Sequence, residues 1–164
     1  MRGSSFLLLL LASWCRALEV EILSGDDPTS IVGGTTAGTH PYFVLGLDDT
    51  ICGGSLIHDD VVLTAAHCDT AWTANAYIDP PGLWQGEIIP VALAQPHPWY
   101  ATDQTHDIML VQLQTIPKTG AVIPMNKDPS LPKLSTTVLA LGFGHINNHG
   151  ESPTQLQELK MPVT

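Results

Sequence analysis

Hydrophobic residues gather in one unbroken run near the N-terminus, Phe6 to Ala12, and afterwards return only in short stretches. Those stretches are Tyr42 to Leu47, Ser55 to Ile57, Val61 to Thr64, Ile88 to Leu93, Ile108 to Leu113 and Thr137 to Leu141. Each has the length of a strand, and most are rich in β-branched residues. Between them stand Asp48-Asp49, His58-Asp59-Asp60, Asp79-Pro80-Pro81-Gly82, Pro117-Lys118-Thr119-Gly120 and Asp128-Pro129, which carry turn chemistry rather than helix caps. Many short strands at this spacing predict an all-β barrel or sandwich.

The N-terminal run reads differently. Arg2 supplies one positive charge ahead of it, and Cys15-Arg16-Ala17 closes on a small residue, the pattern of a secretory signal peptide over residues 1–17. Seven apolar residues make roughly 10 Å of helix against a bilayer core of roughly 30 Å, so no membrane span is expected. Residues 18–30 are acidic and turn-rich, with Glu19, Glu21, Asp26, Asp27 and Pro28, and read as a pro-segment or leader. A secreted, extracellular destination follows.

Composition narrows the classes. The 164 residues carry 6 Lys and Arg against 16 Asp and Glu, a formal charge of −10, and the late lysines (Lys118, Lys127, Lys133, Lys160) form no stripe able to neutralise phosphates. Nucleic acid is therefore excluded as an expected partner. With 44% hydrophobic and 13% charged residues the chain can bury a core. Of three cysteines, cleavage after Ala17 removes Cys15 and leaves Cys52 and Cys68. In an oxidising compartment that pair is most simply a disulfide, the alternative being two buried thiols.

The candidate chemistry lies in Cys52-Gly53-Gly54-Ser55-Leu56-Ile57-His58-Asp59-Asp60-Val61-Val62-Leu63-Thr64-Ala65-Ala66-His67-Cys68, read as a strand, a tight turn, a second strand and a histidine on a pinched loop. This run resembles the segment around the catalytic histidine of the chymotrypsin/trypsin-like serine endopeptidases, whose hallmark is Thr-Ala-Ala-His-Cys. Three further segments resemble the same family in the same order. Ile31-Val32-Gly33-Gly34 is similar to the mature N-terminus, His106 to Leu113 to the strand opened by the triad aspartate, and Gly142-Phe143-Gly144 with Leu156 to Val163 to the start of the second barrel. His67 and Asp107 stand 40 positions apart, against about 45 in the worked triad of the family.

The resemblance implies a trypsin-like double antiparallel β-barrel, with the first barrel complete over residues 31–125 and residues 126–164 supplying only the opening strands of a truncated second one. It implies His67 as general base, Asp107 as the group holding its tautomer, Ile31 as the mature N-terminus, and protein or peptide substrates. A Cys52–Cys68 bridge would close a loop of about 17 residues, worth roughly 3 kcal/mol, and clamp the neighbour of His67 to a barrel strand. No cofactor or metal is expected, and the oligomeric state is open.

Two departures matter. The family serine lies about 90 residues after its aspartate, whereas 57 residues follow Asp107 here and no Gly-Asp-Ser-Gly-Gly occurs. Ser152, in Gly150-Glu151-Ser152-Pro153, lacks the following glycines and reads as a loop residue. The 164 residues alone are thus expected to be inactive. Ser30 also stands where the family has Arg or Lys before the Ile-Val-Gly-Gly start. The two functional classes are a secreted serine endopeptidase seen here without its serine, and a non-catalytic secreted homologue that binds or inhibits another protein.

Weaker signals read as structural. His145 and His149 fall in a loop rather than on a ligand-presenting helix. His97-Pro98-Trp99-Tyr100 reads as an exposed aromatic loop bordering the cleft, Trp72 and Trp84 as packing residues, and Gly53-Gly54 with Ser55 as strand and bulge residues. Val138, Leu139 and Leu141 are expected to expose apolar surface for want of pairing partners.

Overall fold

The computed structural model describes residues 31–163. The expected signal peptide and acidic leader lie outside the described residues. Among the described residues nine strands follow in order: β1 Thr35–Thr36, β2 Phe43–Leu47, β3 Ile51–His58, β4 Val61–Thr64, β5 Asn75–Ile78, β6 Glu87–Pro96, β7 Met109–Leu113, β8 Thr137–Gly142 and β9 Gln157–Pro162. A 3-10 helix, Ala66–Ala71, follows β4, and one helical turn, α1 Tyr100–Asp103, follows β6. All six stretches read from the sequence contain strands. Of the six barrel strands, β5 is the one the hydrophobic pattern does not mark, because Asn75-Ala76-Tyr77-Ile78 is only four residues long and has a single β-branched member.

Six strands close a barrel in the order β2-β3-β4-β7-β6-β5, and β1-β9-β8 form a separate three-stranded sheet. This is an all-β architecture, as expected, with one closed barrel beside a separate three-stranded sheet.

Period-two alternation explains how the two parts join. Val44 of β2, with Ala76 and Ile78 of β5, points into the barrel core beside Leu56, Val62, Met109 and Val111. Their neighbours Phe43, Leu45, Leu47 and Tyr77 face a second cluster completed by Phe143 and Leu156. β2 is consequently buried along its whole length. Each large side chain so buried contributes about 1.5–3 kcal/mol.

Trp72, 1% exposed, fills the barrel core after the 3-10 helix. Two glycines make room for it. A Cβ on Gly46 would stand 2.7 Å from the indole ring and from the Ala71 carbonyl, and one on Gly54 would meet Val62 at 2.6 Å. Gly54 is therefore a packing glycine and not a bulge residue. Ladder pairing runs unbroken through Leu45 opposite Gly53 and Val44 opposite Gly54, while the irregularity in β3 falls between Leu56 and His58. Trp84 also differs from expectation. It is 64% exposed, set at φ 62° in the turn between β5 and β6, and touches Tyr77 only edge-on.

The N-terminal segment is strapped to β9. Thr35 and Thr36 pair with Glu158 and Gln157, the Ala37 N–H donates to the Leu156 carbonyl at 2.8 Å, and the buried Ile31 donates its N–H to the His145 carbonyl at 2.7 Å. His40 Nε2 lies 3.1 Å from Glu158 Oε2, and the Tyr42 hydroxyl lies 3.3 Å from the other ring nitrogen. In the β8 strand Val138 and Leu141 are half-buried and Leu139 is 41% exposed, because β8 pairs on one side only, with β9.

Two outcomes follow from this packing. Gly46→Ala will force the Cβ into the Trp72 ring, costing about 1–3 kcal/mol, measurable as a lower urea midpoint with an unchanged slope. The His40 hydrogen bond holds the Glu158 carboxyl below its ordinary 4.5. A lowered folded value means stabilisation that is complete above about pH 5 and lost as pH falls through the folded value. The stability advantage over Glu158→Gln will therefore shrink on acidification below about pH 4.5, read from denaturant titrations on either side of that value.

Candidate active site

The pairing of β4 with β7 brings the two candidate residues together. Thr64, the last residue of β4, lies opposite Met109, the first of β7. His67 is three residues beyond that rung and Asp107 two before it, so both leave the barrel at the same end.

The 3-10 helix that carries His67 is held by its core-facing residues, by bonds to the segments on either side of it and by a disulfide. Ala66, Cys68 and Ala71 point into the core, Thr64 Oγ1 donates to the Gly53 carbonyl at 2.8 Å, and the Asp48 carboxylate accepts from Thr73 N–H, Thr73 Oγ1 and Ala74 N–H, each at 2.8 Å. The Cys52–Cys68 disulfide, Cα atoms 6.0 Å apart, ties the helix to β3. With its neighbour anchored inward on either side, His67 projects outward and is 46% exposed.

Asp107 bonds His67 twice. Its Oδ1 accepts the His67 backbone N–H at 2.8 Å and its Oδ2 lies 2.6 Å from Nδ1. An ionised carboxylate only accepts, so the ring places its proton on Nδ1 and presents Nε2 as an acceptor. The aspartate is the more enclosed partner, 19% exposed. Tyr100 packs against the barrel core close by; burial raises its hydroxyl above the ordinary value of 10.0, and the negative charges of Asp107 and Asp69 add to that. Such a pair can accept a proton at Nε2 from a bound hydroxyl while the carboxylate stabilises the imidazolium that forms.

Cys52 and Cys68 place their sulfur atoms within 4.8 Å of an imidazole nitrogen of His67. Bonded to each other, the sulfurs offer no thiolate to a metal. His145 and His149 stand in a loop organised by Asn147, whose Oδ1 accepts from the His149 and Glu151 N–H groups. Ser152 belongs to that loop and lines an open recess with Glu151, Thr154 and Gln157.

The sequence reading does not connect His97 with His106, nine residues apart. In the fold their rings stack, centroids 4.7 Å apart and 13° from parallel, with Trp99 edge-on to both. The signal available was the aromatic loop at 97–100; the partner at 106 becomes visible only when β6 and β7 pair. Glu87 was likewise unmarked. Its Oε2 accepts from Lys118 N–H, Thr119 N–H and Thr119 Oγ1 at 2.8, 2.8 and 2.9 Å, which fixes the loop leaving β7. The Thr119 N–H is the main reason that carboxyl sits below its usual value.

The histidine bonded through Nδ1 to an aspartate at one end of a closed barrel has the arrangement that general-base catalysis requires. Comparisons with known proteins identify the class more closely. A family model described as Trypsin matches residues 31–164. Granzyme-like protein 1 of Rattus norvegicus is 34% identical over 96% of this chain and 67% of its own length. Granzyme B of Homo sapiens is 35% identical over 87% of this chain and 63% of its own. A solved structure described as "Structure of GrC" superposes with a TM-score of 0.69 at 31% identity, covering 80% of this chain and 65% of that one. The chain belongs to the trypsin family. It spans from 60% to 67% of the length of relatives such as mouse granzyme C and rat granzyme-like protein 1.

The bridge that ties His67 to the barrel is testable on its own. The double variant Cys52→Ala/Cys68→Ala will lose about 3 kcal/mol of stability, seen as a fall in the urea midpoint relative to the oxidised parent.

Proposed function

We propose that this chain is the N-terminal portion, the first barrel and the start of the second, of a secreted serine endopeptidase in which His67 is the general base and Asp107 orients it. The observation that carries the reading is the double hydrogen bond from Asp107 to His67, at 2.8 and 2.6 Å, in a chain of the trypsin family. His67 Nε2 takes the proton of the attacking serine hydroxyl and returns it to the leaving amine. Asp107 keeps the proton on Nδ1 and stabilises the imidazolium between those steps. Substrates are proteins or peptides.

The nucleophile belongs to sequence following Thr164 in the intact protein. Support comes from relatives longer than this chain and from the absence of a Gly-Asp-Ser-Gly-Gly string within the 164 residues. The oxyanion donors and the primary specificity pocket belong to the same region. Residues 31–125 then form the first barrel and 126–164 begin the second, with Ile31 as the mature N-terminus. The leader at 1–17 sends the protein out of the cell.

One feature favours a second reading. Ser30 stands where the family carries a basic residue ahead of Ile31, so a trypsin-like activator has no basic residue to recognise there, as suits a non-catalytic binding homologue.

Sequencing the native transcript beyond codon 164 separates the two. The enzyme reading expects a Gly-Asp-Ser-Gly-Gly segment within about 40 further codons, scaled from the triad spacing, and expects the mature protein to react with a serine-directed fluorophosphonate. In that protein Asp107→Asn will lower turnover about 10⁴-fold, because the imidazole is left in the wrong tautomer. A stop at codon 165 matched by the mass of the native secreted protein contradicts the enzyme and leaves the binding homologue.

A further inference from the structure

The pairing of Asp107 with His67 demands placement within about 0.5 Å, yet Asp107 precedes its strand and lies in a tight turn. The backbone there is strained. His106 sits at φ 57° and Gln104 at φ 56°, a region that non-glycine residues seldom occupy. Ile108 donates its N–H back to the His106 carbonyl at 2.6 Å, so Asp107 is the middle residue of a three-residue turn.

Both neighbours of Asp107 are held by one residue outside the pair. The ring of His97 stacks on the ring of His106, and the His97 backbone N–H donates to the Ile108 carbonyl at 2.8 Å. His97 is itself fixed: its Nδ1 accepts the Trp99 N–H at 3.3 Å, its carbonyl accepts the Tyr100 N–H at 3.0 Å, and the Trp99 ring meets it edge-on. His106 Nδ1 lies 2.7 Å from Thr105 Oγ1, which sets the roll of the second ring. With Nδ1 of His97 accepting, the neutral ring carries its proton on Nε2 and lacks a second lone pair.

We propose that His97 is the positioning residue for Asp107, acting through the ring of His106 on one side and the carbonyl of Ile108 on the other. The proposal rests on the reading of His67 and Asp107 as the acid–base pair. The ring contact holds His106 in its left-handed conformation, and the backbone bond sets where β7 begins. The carboxylate between them is thereby aimed at both the N–H and the Nδ1 of His67.

The proton in the 2.6 Å bond between His67 Nδ1 and Asp107 resonates far downfield and exchanges slowly when that bond is well aligned, and it can be followed by NMR without a serine. In the full 164-residue chain the signal is expected and is lost in Asp107→Asn, which assigns it. His97→Ala is expected to broaden or abolish it while the amide pattern of β4 and β7 and the disulfide remain. His97→Phe, which keeps a flat ring against His106, is expected to restore it. Should His97→Ala disturb folding, His106→Gly decides, since glycine accepts the same φ but removes the stacked ring; loss of the resonance there supports the proposal. A parental resonance in His97→Ala or in His106→Gly overturns it, as does loss of the resonance in His97→Phe with the fold intact. No downfield proton in the unsubstituted chain overturns the acid–base pair itself, and the positioning role with it.

Discussion

Asp107 accepts two hydrogen bonds from one residue, the backbone N–H and the ring Nδ1 of His67. A carboxylate that bonds both the main chain and the ring of its partner fixes the ring's rotation as well as its distance. Two charge-assisted bonds of this kind are stronger and more directional than neutral ones. They form only if two segments 40 residues apart in sequence emerge from the barrel side by side. The order of the strands therefore serves this contact: β4 and β7 are neighbours in the barrel although β5, β6 and the connecting loops lie between them in the chain.

Around that contact, the local supports work by different physics. The His67 side is covalent and apolar, with Cys68 bonded to Cys52 and Ala66, Cys68 and Ala71 buried in the core. The Asp107 side is a strained turn held by stacked rings and backbone hydrogen bonds. Farther away, Glu87 and Asp48 each gather three donors from a following loop. Anchored carboxylates of this sort satisfy turn N–H groups that no ladder reaches.

Much of this was legible in the chain itself because the signals were local or had a fixed spacing. Strand-length apolar runs separated by Asp, Pro and Gly marked five of the six barrel strands, and Thr64 to Cys68 with Cys52 marked the histidine and its bridge. What escaped depended on contacts between distant residues. β5 is short and polar at its start, and becomes a strand because β2 and β6 pair with it on either side. Gly54 has the residue type of a bulge, and only the packing of Trp72 and Val62 over it gives it another role. Trp84 looked like core material by type, and a turn at φ 62° carries it outward. The His97 and His106 rings meet through the β6 to β7 pairing, which no local pattern encodes.

The relation between the two sheets has the same origin. β2 and β5 turn one set of side chains into the barrel and the other toward Phe143 and Leu156, so the barrel that holds the pair is also the floor on which β8 and β9 rest. The central claim is that this barrel by itself sets the tautomer and orientation of His67. The ¹⁵N resonances of the His67 imidazole in the 164-residue chain, recorded with the ring neutral, test that claim directly. The account predicts a proton on Nδ1 and an unprotonated Nε2. A ring protonated on Nε2, or an even mixture of the two tautomers, would contradict it.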